Sequence, residues 1–282
     1  MSAGGMGRDP AKQLLRAGII ILALALAIAM VHAARADTAP PGAAYADAAA
    51  SPGTALVDAI RTGNRDAALA LIRHGADVNA GYPDGSTPLL WAVYTVDVDM
   101  AKRLLDRGAR AGAANAFGAT PLTEAVKAGN LDLVKLLLKH KANADAANAD
   151  GQTALMLAAH TGLVPIAQAL VSHGAAVNAV ERLRGQTALM WAAADNHPEM
   201  VAFLLQHGAK PDVRADVDDW QNNVTSEPRA QYRPSAGLTA LLYATRSGCL
   251  ECVQSLLKAG ADIDEPTPDG ITPLMSAIDN LN

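Results

Sequence analysis

Large aromatic side chains are scarce in this chain, which holds two Phe, three Trp and five Tyr among 282 residues. Half the residues are nevertheless apolar, so the core must be packed from Ala, Leu and Val. Small, uniform side chains of this kind suit closely stacked helices repeated many times. Catalytic signatures are missing as well. There is no Gly-x-Ser-x-Gly, no phosphate-binding loop and no His-Glu-x-x-His. Without a nucleophile–base pair or a ligand set the chain is not expected to be an enzyme, and no cofactor or metal is expected. It also lacks a basic run, and its formal net charge is −5. Binding a phosphate backbone requires clustered Lys and Arg that displace counterions. The balance therefore argues against nucleic acid and anionic lipid, and is neutral towards protein partners.

What is present begins with a targeting pattern. Arg8, Lys12 and Arg16 precede an apolar stretch from Ala17 to Val31, 15 residues long. A bilayer-spanning helix needs about 20 apolar residues. Ala34 and Ala36 then offer an Ala-x-Ala cleavage site. Residues 1–36 read as a signal peptide, with a retained inner-membrane anchor as the alternative. Either places the remainder outside the cytoplasm, periplasmic or secreted, with membrane contact only if the segment is not cleaved. No Arg-Arg pair supports a twin-arginine route. Residues 37–51, rich in Ala and Pro, read as a linker.

From there to residue 282 the chain repeats. Gly-x-Thr-(Pro/Ala)-Leu begins at Gly85, Gly118, Gly151, Gly185, Gly237 and Gly270, at spacings of 33, 33, 34, 52 and 33 residues. The Gly allows the positive φ of a tight turn. Thr87, Thr120, Thr153, Thr187, Thr239 and Thr272 are positioned as helix N-caps. Pro88, Pro121 and Pro273 suit the first helical turn, where Ala154, Ala188 and Ala240 stand in the other copies. A first helix with paired small residues (Ala92-Val93, Ala158-Ala159, Ala192-Ala193) follows. A second helix ends in an apolar doublet such as Leu104-Leu105 or Leu137-Leu138. Gly75, Gly108, Gly174, Gly208 and Gly260 stop the second helices in a left-handed cap. Lys141 breaks that rule at a cost of about 1 kcal/mol.

Turn, Thr-Pro-Leu, short helix, Leu-Leu and Gly-Ala-Asp-Val-Asn at this period resemble the ankyrin repeat. The resemblance covers 52–282 and implies an all-α fold, a solenoid of helix-turn-helix units with β-turn fingers. Ala55 to Ala80, which lacks the Thr-Pro turn, reads as an N-terminal capping repeat. Asn282 falls inside the first helix of a seventh unit. A truncated array is the expectation there, with cover by a partner or second copy as the alternative. The family departs in one respect: where it carries His after Thr-Pro-Leu, this chain has Leu90, Thr123, Met156, Met190, Leu242 and Met275.

The resemblance also implies protein–protein interaction through the fingers and the concave face of the first helices, by a chain expected to be a monomer. On this sequence that face offers Trp91, Tyr94, Lys127, His160, Trp191, Asp195, Tyr243 and Arg246, with aromatics at equivalent steps forming a stripe. The alternative for Trp91 and Trp191 is packing on their own helices. The long spacing places an insertion at 212–236, read either as a tolerated surface loop or as a recognition loop anchored by Trp220 with Tyr232. A different role, helping a periplasmic enzyme in oxidative-stress defence, rests on export and fold alone.

Two further patterns invite chemistry. His74, His140, His173 and His207 recur in one register, shared by Arg107. Stacked helices lie about 8–10 Å apart, whereas a zinc ligand sits about 2 Å from its ion. These side chains are therefore expected to face the last carbonyls of each second helix. Cys249-Leu250-Glu251-Cys252 falls at the start of a second helix, in the register read as that of Leu131 and Val134. It is either structural or a disulfide formed outside the cytoplasm.

Overall fold

The computed structural model describes residues 54–216 and 237–279, all within one unit spanning Ala50–Asn282. The expected signal segment (1–36) and linker (37–51) lie outside the described residues. Among the described residues there are thirteen helices and no strand, and none of the helices is long and apolar enough to cross a membrane.

The helices alternate strictly in length. The seven-residue first helices are α1 (Ala55–Arg61), α3 (Pro88–Tyr94), α5 (Pro121–Lys127), α7 (Ala154–His160), α9 (Ala188–Ala194), α11 (Ala240–Arg246) and α13 (Pro273–Asp279). The nine-residue second helices are α2 (Arg65–Arg73), α4 (Val98–Asp106), α6 (Leu131–Lys139), α8 (Val164–Ser172), α10 (Pro198–Gln206) and α12 (Leu250–Lys258). Helices this short are not stable alone in water, so stacking must hold them. First helices pack on first helices to make one layer, and second helices cover them as another. Ala92, Ala125, Ala158, Ala192 and Ala244 lie fully buried where the first helices meet, and Leu104, Leu137, Leu170, Leu204 and Leu256 are fully buried beneath the second.

Caps follow the expected chemistry. Thr87, Thr120, Thr153, Thr187 and Thr239 have extended backbones, and each side chain accepts the N–H three residues on. The Thr272 side chain likewise accepts the Met275 N–H. Asn64, Asp97 and Asn130 cap second helices. Leu163 and His197 supply no side-chain cap, and there a proline in the first turn, Pro165 or Pro198, removes one of the orphan donors.

The link between the two helices of each repeat also needs a left-handed residue, which the repeat pattern did not disclose. Gly63, Gly129, Gly162 and Gly248 fill it, but Val96 and Asn196 do so in two repeats, each at φ 59°. A β-branched residue is strained there. Val96 is 44% exposed, so little packing is lost with its side chain. Val96→Gly is expected to stabilise the fold by about 0.5–1 kcal/mol. A lower urea midpoint for the variant would contradict this. Lys141 likewise sits at φ 63° where the other repeats carry the C-terminal Gly.

The 34-residue spacing also has a structural cause. In regular fingers Asn115 and Asn148 each accept two backbone N–H groups, two and four residues on. The finger of residues 181–186 is one residue longer and is held by Glu181, 3% exposed, instead. Its carboxylate accepts from the N–H of Leu183 (2.6 Å), Arg184 (2.7 Å) and Gln186 (3.1 Å). A longer loop is spanned by a side chain longer by one methylene.

The long spacing leaves the stack intact. Of the anticipated 212–236 insertion, Asp212 to Asp216 follow the regular finger path. The Ala215 N–H donates to Leu238 O at 3.0 Å, and Gly237 N–H to Asp216 O at 3.2 Å. Chain departure and return are therefore neighbours. Arg214 fastens this base to the next repeat, its guanidinium donating to Gly237 O (2.9 Å), Glu265 Oε1 (2.5 Å) and Pro266 O (2.8 Å).

Candidate functional site

The exposed ends of α7, α9 and α11, with the finger before α9, bring together most of the described candidate residues. His160 ends α7, and its Nδ1–H donates to the Asp195 carboxylate at 2.6 Å across the repeat boundary. The same imidazole meets the Trp191 ring edge-on, with centroids 5.6 Å apart. Trp191 Nε1–H donates to Gln186 Oε1 at 3.1 Å, and Gln186 Nε2–H donates to the Tyr243 hydroxyl at 2.6 Å. One amide thus fixes the polar tips of two rings from adjacent repeats. Arg246 follows one turn after Tyr243, at the exposed end of α11. Below this group Lys127 is paired with Glu124 at 2.8 Å.

This arrangement offers amphipathic rings and charged groups for binding. His160 and Asp195 form a dyad, but no hydroxyl or thiol among the described residues bonds to the imidazole. Nor do three His, Cys, Asp or Glu side chains gather as a metal site among those residues. Burial raises the Tyr243 phenol pKa above its ordinary value, while the Gln186 hydrogen bond and the nearby Arg184 and Arg246 pull it back. Tyr82, whose hydroxyl donates to Asp58 and accepts from Arg61, is raised too, first by burial and then by Asp58. A raised phenol pKa means the folded state holds the proton more tightly. The resulting stabilisation is complete below the ordinary phenol range and is lost as pH climbs through the raised values. Phenolate absorbance is expected to show at least two tyrosines ionising later in the native protein than after unfolding. Coincident native and unfolded titrations would contradict this.

A sequence profile of the family described as "Ankyrin repeats (3 copies)" matches residues 41–115, 89–181, 122–215 and 220–282. The chain belongs to the ankyrin-repeat family. Among solved structures, the human ASB11 ankyrin repeat domain is similar at 24% identity and a TM-score of 0.61, over 79% of this chain and 90% of that one. That likeness speaks to the fold. No curated protein matches the chain. Ankyrin repeats imply a scaffold for protein–protein interaction and are generally non-enzymatic.

Within the ankyrin array the candidate stripe is interrupted. Trp91 is only 4% exposed, belongs to the buried core, and touches Tyr94 edge to face at 5.6 Å. It packs on its own helix and offers no ring to a partner, so it leaves the candidate surface. Its indole N–H is buried without a hydrogen-bond partner among the described residues. The Gln186 that serves Trp191 is replaced in register by Ser86, whose short hydroxyl is engaged with Asp84. Tyr94 remains 41% exposed, but it lies two repeats before His160, apart from the group. Trp220 and Tyr232 lie outside the described residues.

Sequence reading overlooked Gln186, because a polar residue in a turn reads as solvated. It also overlooked the finger tips, where Phe117 and Leu183 are 66% and 62% exposed. Their apolar character in a turn was the available signal. The cysteine register needs correction by one residue. Cys249 occupies the N-cap position of Asn130, and Cys252 that of Leu133, not those of Leu131 and Val134. The two are joined as a disulfide with Cα atoms 5.2 Å apart, both sulfurs being buried. Of the recurrent histidines, His173 and His207 donate through Nδ1–H to the carbonyls of Ala169 and Phe203, each at 2.8 Å. His140 instead stands 4.0 Å from Asp106 of the preceding repeat.

Proposed function

We propose that this ankyrin array is an exported scaffold that holds a protein partner on the face built by His160, Asp195, Trp191, Tyr243 and Arg246, together with the 212–236 segment. The observation that carries the reading is the Gln186 bridge. Trp and Tyr dominate binding hot spots, and here both rings are tied at their polar tips before any partner arrives. Little side-chain ordering then remains to oppose association. Their mixed character, two amphipathic rings beside a His–Asp pair and an arginine, suits a protein surface with both apolar and charged groups. The N-terminal cationic and apolar pattern supports a periplasmic or secreted location, as does a disulfide, which persists in oxidising compartments.

Pull-down from a periplasmic extract tests the reading, comparing the parent with Trp191→Ala and with a variant lacking residues 217–236. Both variants are expected to lose the partners that the parent retains. Recovery of the same set by both would show that binding occurs elsewhere.

A further inference from the structure

The second-helix layer is uneven in contact and in charge. α2 and α4 touch each other least among neighbouring second helices. The resulting groove of about 270 Å³ is lined by Leu69, Ile72, Arg73, Arg103, Asp106 and Arg107. Its apolar wall comes from Leu69 and the buried Ile72, and three guanidinium groups stand around it.

Two of the three arginines are tethered in ways that leave donors unused. Arg103 donates through Nε to Asp99 at 3.1 Å, and Arg107 through one Nη to Ile72 O at 3.2 Å. Arg73 has no hydrogen bond or ion pair among the described residues. The one carboxylate in the groove, Asp106, is engaged by Lys102 at 2.5 Å, with His140 4.0 Å away on the other side. Its charge is taken up by Lys102, and Arg103 is itself ion-paired with Asp99, so Arg73 and Arg107 are the guanidinium groups without a carboxylate partner among the described residues. The imbalance extends beyond the groove. Counted with their capping residues, α2, α4 and α6 hold seven Lys and Arg against five Asp, whereas α8, α10 and α12 hold one Lys against two Glu. On a chain of net charge −5, this concentrates positive potential on one part of the outer layer, where it would draw anions in.

We propose that the groove between α2 and α4 is a binding site for a small oxyanion, a carboxylate or phosphate ester carrying a short apolar substituent. Guanidinium forks match the paired oxygens of such groups. Leu69 and Ile72 receive the substituent, and the volume admits a headgroup and a few carbons. The site lies on the second helices, away from the first-helix face assigned to the protein partner, and does not depend on that assignment.

Calorimetric titration of the full chain at low salt tests it, with hexyl phosphate, hexanoate, inorganic phosphate and hexylammonium as probes. Both hexyl anions are expected to bind saturably. Hexyl phosphate should bind at least threefold more tightly than inorganic phosphate, and hexylammonium should not bind. Arg73→Gln, which breaks no bond in the folded protein, should weaken hexyl phosphate about fivefold, and Arg73→Gln with Arg107→Gln at least tenfold. Lys135→Gln, which lies outside the groove lining, should change it less than twofold. Absence of saturable binding by either hexyl anion overturns the site. So does an equal loss in Lys135→Gln and Arg73→Gln, which marks diffuse charge attraction. Equal affinity for hexyl and inorganic phosphate removes the apolar half of the assignment.

Discussion

Glu181→Ala is expected to lower the unfolding free energy by about 2–3 kcal/mol, because it leaves three backbone donors of one finger without their charged acceptor. Glu181 is nearly fully buried, and among the described residues its carboxylate is the only acceptor reaching the N–H groups of Leu183, Arg184 and Gln186 together. The partly buried position of those donors lets water recover some of the loss, so the figure stays below that for three fully buried groups. A length swap separates the carboxylate from the loop it spans. Glu181→Asn alone should destabilise, since the amide is shorter by a methylene than the six-residue turn requires. Glu181→Asn combined with deletion of Leu183 restores the finger of Asn115 and Asn148, and should recover at least half the loss. Urea denaturation of the three variants checks both statements. A neutral Glu181→Ala, or a double variant no better than Glu181→Asn, would show that the finger is held by other means.

Trp191→Ala should reduce partner affinity about thirtyfold, close to 2 kcal/mol, the level at which a residue counts as a hot spot. The ring is half-buried against the core and fixed at Nε1 by Gln186, so part of any effect could come from loosening of α9. Gln186→Leu tests for that. It leaves the ring in place but unties both Trp191 and Tyr243, and should weaken binding about fivefold through lost preorganisation. Quantitative recovery of the partner, normalised to folded protein by circular dichroism, distinguishes the two contributions. Undiminished recovery with Trp191→Ala would exclude the face.

Much of the architecture was legible because it is local. Thr120 caps α5 through an oxygen that reaches an N–H three residues away, and every such contact can be read from the Gly-x-Thr string. The C-terminal glycines were legible for the same reason: a left-handed residue declares itself by composition. Val96 concealed an equivalent position, because its neighbours force a backbone that its own side chain disfavours. Trp91 and Trp191 were indistinguishable as letters three residues into a first helix. They differ in the structure because Gln186 holds one indole, while the other sinks into the core with its N–H unpaired among the described residues. Cys249 was misplaced by one residue because helix starts blur by that amount in sequence. The N-cap contact from Cys252 N–H to Cys249 Sγ at 3.2 Å fixes the register.

The amino-acid sequence alone determined the repeat, its period, its caps and the all-α stack, since each follows from steric and hydrogen-bonding preferences within about ten residues. The tertiary structure decided which surface groups meet. The His160–Asp195 pair, the Gln186 bridge to Trp191 and Tyr243, and the arginine groove between α2 and α4 join residues tens of positions apart or on facing helices. Such meetings depend on the distance and tilt between successive repeats. Those quantities come from how the layers pack, and no short stretch of sequence encodes them.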